Sequence, residues 1–249
     1  MVEHGFEPFV AADPSHPPPL GEREVHVWLV ELDAPAPWEG ADELSVLCVT
    51  ELDRARAIVD PLGARRWARS RVLLRELLGG YLGREPASLR FAVGAHGKPR
   101  LAGDAAGEVG WLRFNLSHSG ELALYALARD LEVGVDIELL GRERNFVGLA
   151  QRAFGAAAAR RLELTSPERR EQELLGLWVR YEARLKCQGA GFGHDNEAAG
   201  PPGCFCSQIA LGDAAVAVAA VAAAAAPVRV ELRRWPLYCA YAHKRKPKL

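Results

Sequence analysis

Two acidic residues, Asp136 and Glu138, alternate with aliphatic residues in the segment VGVDIELL, residues 133–140. This alternation predicts a β-strand, in which both carboxylates point to the same face and repel each other. A divalent cation beside them would offset that repulsion, and carboxylate oxygens suit Mg²⁺. The alternative is that both acids are the polar, solvent-facing positions of a half-exposed strand.

A third acid lies in the segment LGLWVRYEARLKCQGAGF, residues 175–192. On a helix, Trp178, Glu182 and Lys186 share one stripe because they are four residues apart. Glu182 and Lys186 alone indicate an exposed ion pair that stabilises the helix by a few tenths of a kcal/mol. If the helix packs beside the strand, Glu182 adds a third carboxylate to those of Asp136 and Glu138, and the three form a magnesium site.

Donors for a phosphate group occur in three places. They are the arginines of a predicted helix, the segment HGKPR (96–100) and the segment NLSHSG (115–120); the arginines are Arg65, Arg66 and Arg69. Gly97 favours a tight turn and Lys98 brings a point charge. Ser117 and His118 are adjacent on a predicted strand, so their side chains diverge, and this disfavours a serine hydrolase.

Composition narrows the class of protein. The chain has 249 residues, 49% hydrophobic and 25% charged, with a formal net charge of −1. These values are typical of an ordinary globular protein and argue against general nucleic-acid binding. The five cysteines are an odd number without a CxxC pair, which favours free thiols in a reducing compartment. We expect a cytoplasmic protein, since no signal peptide or membrane span is predicted.

Helical and strand-like segments alternate in both halves, which predicts an α+β fold with a faint internal duplication. We expect a flexible segment at 1–22, an N-terminal subdomain at 23–130, a C-terminal subdomain at 131–241 and a basic tail at 242–249. An alanine-rich run at 214–226 carries strand character within the second subdomain.

The motifs HGKPRL, FNLSHSG, VGVDIE and WVRYEARLKCQGAGF resemble, in order and spacing, those of the Sfp-type 4′-phosphopantetheinyl transferases. The resemblance covers residues 24–235. It implies two similar subdomains related by a pseudo-twofold axis, with coenzyme A between them, in a monomer. The implied reaction moves the phosphopantetheine arm of coenzyme A to a serine of an acyl, peptidyl or aryl carrier protein and releases adenosine 3′,5′-bisphosphate. The carrier can serve fatty acid, polyketide or nonribosomal peptide synthesis.

The same resemblance implies roles for individual residues. Asp136, Glu138 and Glu182 would hold Mg²⁺, with Mn²⁺ as the alternative ion. Glu182 would be the base toward the carrier serine, and Lys186 would contact the phosphate. The implied contacts of coenzyme A are Ser117, His118 toward the 3′-phosphate, Lys98 and Pro99 on the adenine side, and the arginines Arg65, Arg66 and Arg69.

One departure from the family pattern is Tyr181, where many members have a lysine before the helix glutamate; Arg180 or Arg184 could take over that charge. Two other functions are therefore kept beside the transferase. One is a magnesium-dependent hydrolase of phosphoanhydrides, and the other is a catalytically impaired protein that binds coenzyme A or carrier proteins. The transferase requires a carrier protein as the acceptor, whereas the hydrolase does not, and this difference separates the two functions.

Overall fold

A five-stranded mixed sheet forms the centre of the computed structural model, in the order β1-β10-β2-β6-β5. The structure describes residues 9–34, 43–94, 96–103, 109–141, 145–189, 204–211, 215–222 and 228–235. The strands are β1 (Val10–Ala11), β2 (Glu24–Glu31), β5 (Leu112–Ser119), β6 (Leu122–Arg129) and β10 (Arg229–Arg234). Strand β10 pairs in parallel with β2, so the end of the chain returns to the sheet built by its beginning.

Two smaller sheets accompany the central one. Strands β3 (Phe91–Val93) and β4 (Pro99–Leu101) form a hairpin whose turn contains Gly97 at φ 83°. Strands β7 (Val133–Leu139), β8 (Cys204–Ala210) and β9 (Ala215–Ala222) form an antiparallel sheet with β9 in the middle. The alanine-rich run therefore supplies a strand, in agreement with the strand character expected from the sequence.

The helices cover the outer faces of the sheets. They are α1 (Val49–Arg56), α2 (Pro61–Leu82), α3 (Phe146–Leu164) and α4 (Pro167–Gln188). Leucines of α2 pack on one face of the central sheet against Trp28 and Tyr125. The other face packs against β7 through Val133, Val135 and Ile137. The α+β architecture expected from the sequence is confirmed. No helix in the described ranges has the length and apolar character that a membrane crossing requires.

Helix α2 continues past Gly79 and Gly80 and ends at Gly83, which is in the left-handed conformation. These glycines allow close backbone contacts instead of breaking the helix. A Cβ on Gly80 would lie 2.1 Å from the Pro14 carbonyl oxygen, and one on Gly79 would lie 2.7 Å from that of Arg84.

The described part of the N-terminal segment lies against the body of the protein. Strand β1 pairs with β10, and Leu20 is buried in the core around α2. This shows order at residues 9–22 that composition does not predict. The predicted boundary between residues 130 and 131 lies between β6 and β7, and β10 crosses back over it. The basic tail and residues 1–8 lie outside the described residues.

Helix α4 approaches β7 most closely at Gly134. A Cβ on this residue would lie 2.0 Å from the Ala183 carbonyl oxygen and 2.4 Å from the Cys187 amide nitrogen. Both atoms belong to backbone, which cannot rotate away as a side chain can. Only glycine therefore allows α4 to lie at this distance from the strand that carries Asp136 and Glu138.

The contact at Gly134 predicts a large effect of one methyl group. We expect Gly134→Ala to lower the free energy of unfolding by about 3 kcal/mol, because the added carbon overlaps helix backbone. Gly176→Ala is the control on α4 itself, since an added Cβ there meets no atom within 4 Å; it should raise stability by about 0.5–1 kcal/mol through helix propensity. Urea unfolding measures both, and equal stabilities of the two variants would contradict the prediction.

His26 is a fully buried imidazole of β2. Its Nδ1 hydrogen-bonds the Tyr81 hydroxyl at 2.5 Å, and that hydroxyl also accepts a bond from the Trp28 indole nitrogen at 3.1 Å. Burial lowers the pKa of His26 from 6.5 to about 4, with a smaller contribution from the Arg233 charge. Glu231 and Glu24 act in the opposite direction. The imidazole is therefore neutral at neutral pH.

The lowered pKa of His26 predicts acid sensitivity. Between pH 6.5 and 4 the unfolded chain binds a proton that the folded chain does not, so the free energy of unfolding falls as the pH falls through this window. The full contribution is on the order of 3 kcal/mol. We expect His26→Gln to make the pH profile of stability flatter there than that of the unchanged protein. Denaturant unfolding at pH 7 and pH 4.5 measures the difference, and parallel profiles would contradict it.

Candidate functional site

The two strand acids lie beside α4, as the sequence predicts. Asp136 is 5% exposed, and its Oδ1 accepts hydrogen bonds from the Lys186 ammonium at 2.5 Å and the Ser117 hydroxyl at 2.7 Å. Lys186 Nζ also lies 3.1 Å from Ser117 Oγ. Asp136, Lys186 and Ser117, which the sequence separates widely, therefore form one buried polar cluster.

Alternate side chains of β5 connect it to β7 by hydrogen bonds. Asn115 accepts from the Val135 amide at 2.9 Å, and Ser117 donates to Asp136. Ser119 donates to Glu138 Oε2 at 3.2 Å and accepts from the Leu139 amide at 3.2 Å. Because β5 and β7 belong to different sheets, these bonds set the register between the sheets and orient both acids. The motif NLSHS thus has a structural use that the sequence does not show.

The acids of the cluster interact electrostatically. Burial raises the pKa of Asp136, and Glu138 adds to this, whereas the Lys186 charge and the Ser117 hydrogen bond oppose it. Burial also raises the pKa of Glu182, and the charges of Asp136 and Glu138 add to it against that of Lys186. Asp136, Glu138 and Glu182 therefore interact electrostatically. This differs from both alternatives, in which the strand acids only face solvent and Glu182 only pairs with Lys186.

The donor set fits a hard cation. Asp136 Oδ2 is buried and has no hydrogen-bond partner within the described chain, an arrangement that costs free energy unless a ligand or water satisfies it. Carboxylate oxygens are the donors that Mg²⁺ prefers. Among the described residues, no group of three or more Asp, Glu, His or Cys side chains is arranged to hold a metal ion. Asp136 is neutralised by Lys186 instead.

A cleft of about 360 Å³ opens beside this cluster. Its walls come from the hairpin turn, from β5 and from the end of α4; the lining residues are Arg71, His96, Gly97, Lys98, Pro99, Asn115, Leu116, Ser117, His118, Lys186 and Gly189. The segments HGKPR and NLSHSG and the end of α4 therefore border one cavity. A second cavity of about 410 Å³ shares Arg71, Gly97 and Pro99 with it and extends toward α1.

The cleft carries positive charge. Arg71 and Lys186 both line it, and their charges act on His118, which also lines the cleft. The surrounding protein, which removes part of its hydration, lowers the pKa of His118, and the charges of Arg71 and Lys186 lower it further. His118 is therefore a neutral hydrogen-bonding group in the free protein, and an anion bound nearby would favour its protonation.

The predicted arginines of α2 face away from this cleft. Arg66 forms an ion pair with Asp33, and Arg69 donates to the Ala34 carbonyl oxygen at 2.5 Å. Arg65 is exposed and contributes to the field at Asp33. None of the three lines either cavity.

Arg71, which sequence reasoning missed, lines both cavities. Its guanidinium lies 5.1 Å from the centre of the Trp67 ring, and its buried Nε has no hydrogen-bond partner within the described chain. Arg71 lies about 200° around the helix from Arg69, on the face that carries Trp67. The i, i+4 spacing of Trp67 and Arg71 is the sequence signal for this face of α2.

Tyr181 packs against aromatic residues instead of pointing to the cleft. Its ring meets Phe154 edge to face at 5.6 Å, and Phe154 also contacts Trp178. Phe154 directly precedes Gly155, where α3 kinks at φ 81°. Arg180 is exposed, and Arg184 donates to Cys206 Sγ at 3.3 Å. Neither arginine lines the cavities described above.

Cysteine chemistry is simple in the described part of the chain. Cys48, Cys187 and Cys206 are free thiols. Cys187 is buried against β7, where its thiol donates to the Glu132 carbonyl oxygen at 3.2 Å.

Comparison with known proteins agrees with the motifs. The curated 4′-phosphopantetheinyl transferase HetI of Nostoc sp. is 38% identical over 168 residues, which cover 68% of this chain and 70% of that protein. The 4′-phosphopantetheinyl transferase AcpT of Salmonella typhi is 34% identical over 149 residues, 59% of this chain and 71% of that protein. No family model matches the sequence. The extent of these similarities shows that the chain belongs to the 4′-phosphopantetheinyl transferase family.

Proposed function

We propose that this transferase moves the 4′-phosphopantetheine arm of coenzyme A to a serine of an acyl, peptidyl or aryl carrier protein, with Mg²⁺, and releases adenosine 3′,5′-bisphosphate. The observation that carries the proposal is the cleft itself. Cationic residues of three separate segments line one cavity, and one of them, Lys186, bonds the buried carboxylate of Asp136. An elongated polyanion with a pyrophosphate near the acids matches this distribution of charge.

We assign the nucleotide end of coenzyme A to the two cavities that share Arg71, Gly97 and Pro99. Arg71 lies where they meet and has an unused donor, so it is the strongest candidate for a phosphate contact. His118 and Lys186 line the inner cavity, and Pro99 offers an apolar surface beside them. Arg65, Arg66 and Arg69 are not part of this proposal, because their charges lie elsewhere.

Asp136, Glu138 and Glu182 would hold Mg²⁺ at the end of the cleft. The ion would neutralise the negative charge of the pyrophosphate and its leaving oxygen. The chain supports this by orienting the two strand acids through Ser117 and Ser119. A divalent cation would also relieve the repulsion between these carboxylates, which adds to the larger effect of burial in raising the pKa values of Asp136 and Glu182.

Glu182 and Lys186 lie one helical turn apart and act on the same reacting group. Glu182 is the proposed acceptor of the serine proton, since the pKa of its carboxyl is raised toward the range in which a base works at neutral pH. Lys186, bonded to Asp136 and Ser117, is oriented to place its charge at a phosphate oxygen in the cleft.

The remaining proposals concern the whole molecule. The two halves on either side of residues 130 and 131 would be similar subdomains related by a pseudo-twofold axis, and the protein would act as a monomer with the cleft between them. Strand β10, which returns to the first sheet, supports a single cooperative unit.

The first test of the function is the intact mass of an apo carrier protein incubated with the enzyme, coenzyme A and Mg²⁺. We expect a gain of one phosphopantetheine per carrier that EDTA prevents. Release of free phosphopantetheine without a carrier would indicate a hydrolase instead. Binding of coenzyme A without any gain, across acyl and peptidyl carriers, would indicate an impaired homologue.

Glu182→Gln tests the base. We expect kcat to fall by roughly 100-fold or more, because the amide cannot take the serine proton. Glu168→Gln is the matched control on the same helix, since its exposed side chain lies about 20 Å along the axis. Steady-state rates at saturating Mg²⁺ measure both, and unchanged turnover of Glu182→Gln would refute the assigned role.

Arg71→Met tests the phosphate contact. We expect KM for coenzyme A to rise about tenfold, because a charge-assisted hydrogen bond is lost, with little change in kcat. Arg56→Met is the control, since Arg56 is exposed and pairs with Asp53. A fall in kcat at unchanged KM would place Arg71 in the chemical step instead.

A further inference from the structure

The ammonium of Lys98 contacts protein, although the sequence marks it as a ligand for coenzyme A. Its Nζ donates to Glu132 Oε2 at 2.8 Å, to the Val133 carbonyl oxygen at 3.1 Å and to the Cys187 carbonyl oxygen at 3.2 Å. An ammonium has three protons to donate, and three acceptors are present. No donor of Lys98 is left for a phosphate in this arrangement.

The three acceptors belong to different elements from the lysine. Lys98 is in the β3–β4 hairpin, Val133 is the first residue of β7, and Cys187 is in the last turn of α4. Carbonyl groups at a helix end lack helical partners and carry the negative end of the helix dipole, so a cation there is stabilising. Lys98 is thus a C-terminal cap provided by a distant segment of the chain.

The stem and head of Lys98 have different environments. The residue lines the cleft, together with Gly97 and Pro99 of the same hairpin. Its side chain is only 15% exposed, and its ammonium bonds the Val133 and Cys187 carbonyl oxygens of β7 and α4. A Cβ on Gly189, the residue after α4, would lie 3.9 Å from Lys98 Cδ. The stem therefore packs where the hairpin meets the helix end.

We propose that Lys98 is a positioning residue, which joins the hairpin wall of the cleft to the helix that carries Glu182 and Lys186, and does not bind the phosphates of the donor. The catalytic part of this inference rests on the proposed transferase function. The structural part does not, because the contacts of Lys98 involve protein atoms alone.

Hydrogen exchange of the free protein tests the structural part. We expect Lys98→Met, which keeps the chain length and removes the donors, to raise amide exchange at least tenfold in the last turn of α4 and at the start of β7. Lys98→Arg should restore much of the protection, since a guanidinium can also donate to several carbonyl groups. Arg100→Met, which removes an exposed charge from the same hairpin, should leave exchange unchanged.

Calorimetry with two partial ligands tests whether Lys98 binds a phosphate of the donor. Adenosine 3′,5′-bisphosphate lacks the pyrophosphate, and 3′-dephospho-coenzyme A lacks the 3′-phosphate. A displaced cleft wall should weaken both by the same factor in Lys98→Met, and kcat for the carrier should fall by roughly tenfold to a hundredfold. A loss confined to one ligand would identify Lys98 as a phosphate ligand and overturn the proposal, as would unchanged exchange at the end of α4.

If Lys98→Met does not fold, a milder variant tests the same contact. Glu132→Gln removes the charged acceptor and leaves the two carbonyl acceptors, so it should show the same pattern of exchange at reduced size. If the protein proves not to transfer phosphopantetheine, the exchange results of these variants still decide whether Lys98 holds α4 to the hairpin.

Discussion

The site depends on the backbone contact between β7 and α4 at Gly134. Ala183 and Cys187 of the helix lie on either side of this glycine. Glu182 and Lys186 each precede one of these residues, so the same contact that sets the helix on the strand sets both side chains beside Asp136. A site made of side chains from a strand and a helix requires such a rigid contact, because a shift of about 1 Å can cost a hundredfold in rate.

The charged cluster of Asp136, Lys186 and Ser117 costs stability, because its charges are partly removed from water. Asp136 is buried with an unused oxygen, and its counter-ion is a single ammonium. Replacing such groups by apolar residues commonly stabilises a protein. The cluster therefore serves something other than stability, and the buried apolar layers around β6 and β7 supply the stability that it uses. Burial by those layers is also the main cause of the raised pKa of Asp136.

Sequence patterns predicted most of the elements but fewer of the contacts. Alternation predicted the strand of Asp136 and Glu138, now β7, although β2, β6 and β7 are buried on both faces. The contact of Gly80 with the Pro14 carbonyl oxygen and the return of β10 to β2 join residues that are far apart in the sequence. The three acids act on one another electrostatically, and their role as ligands stays a prediction. Arg71 and the partners of Lys98 were not predicted, because helix rotation and the direction of a long side chain are set by packing.

Tyr181 shows how the family pattern and local packing combine in this chain. Its ring, with Trp178, holds Phe154 at the kink of α3, so the position before Glu182 anchors one helix to the next. A lysine at this position could not reproduce the edge-to-face packing of the two rings. Positive charge beside the cleft comes from Arg71 and Lys186, which both line it. Because Arg71 belongs to α2 and Lys186 lies further along α4 than Tyr181, an aromatic residue at position 181 leaves both charges in place for the proposed phosphate contacts.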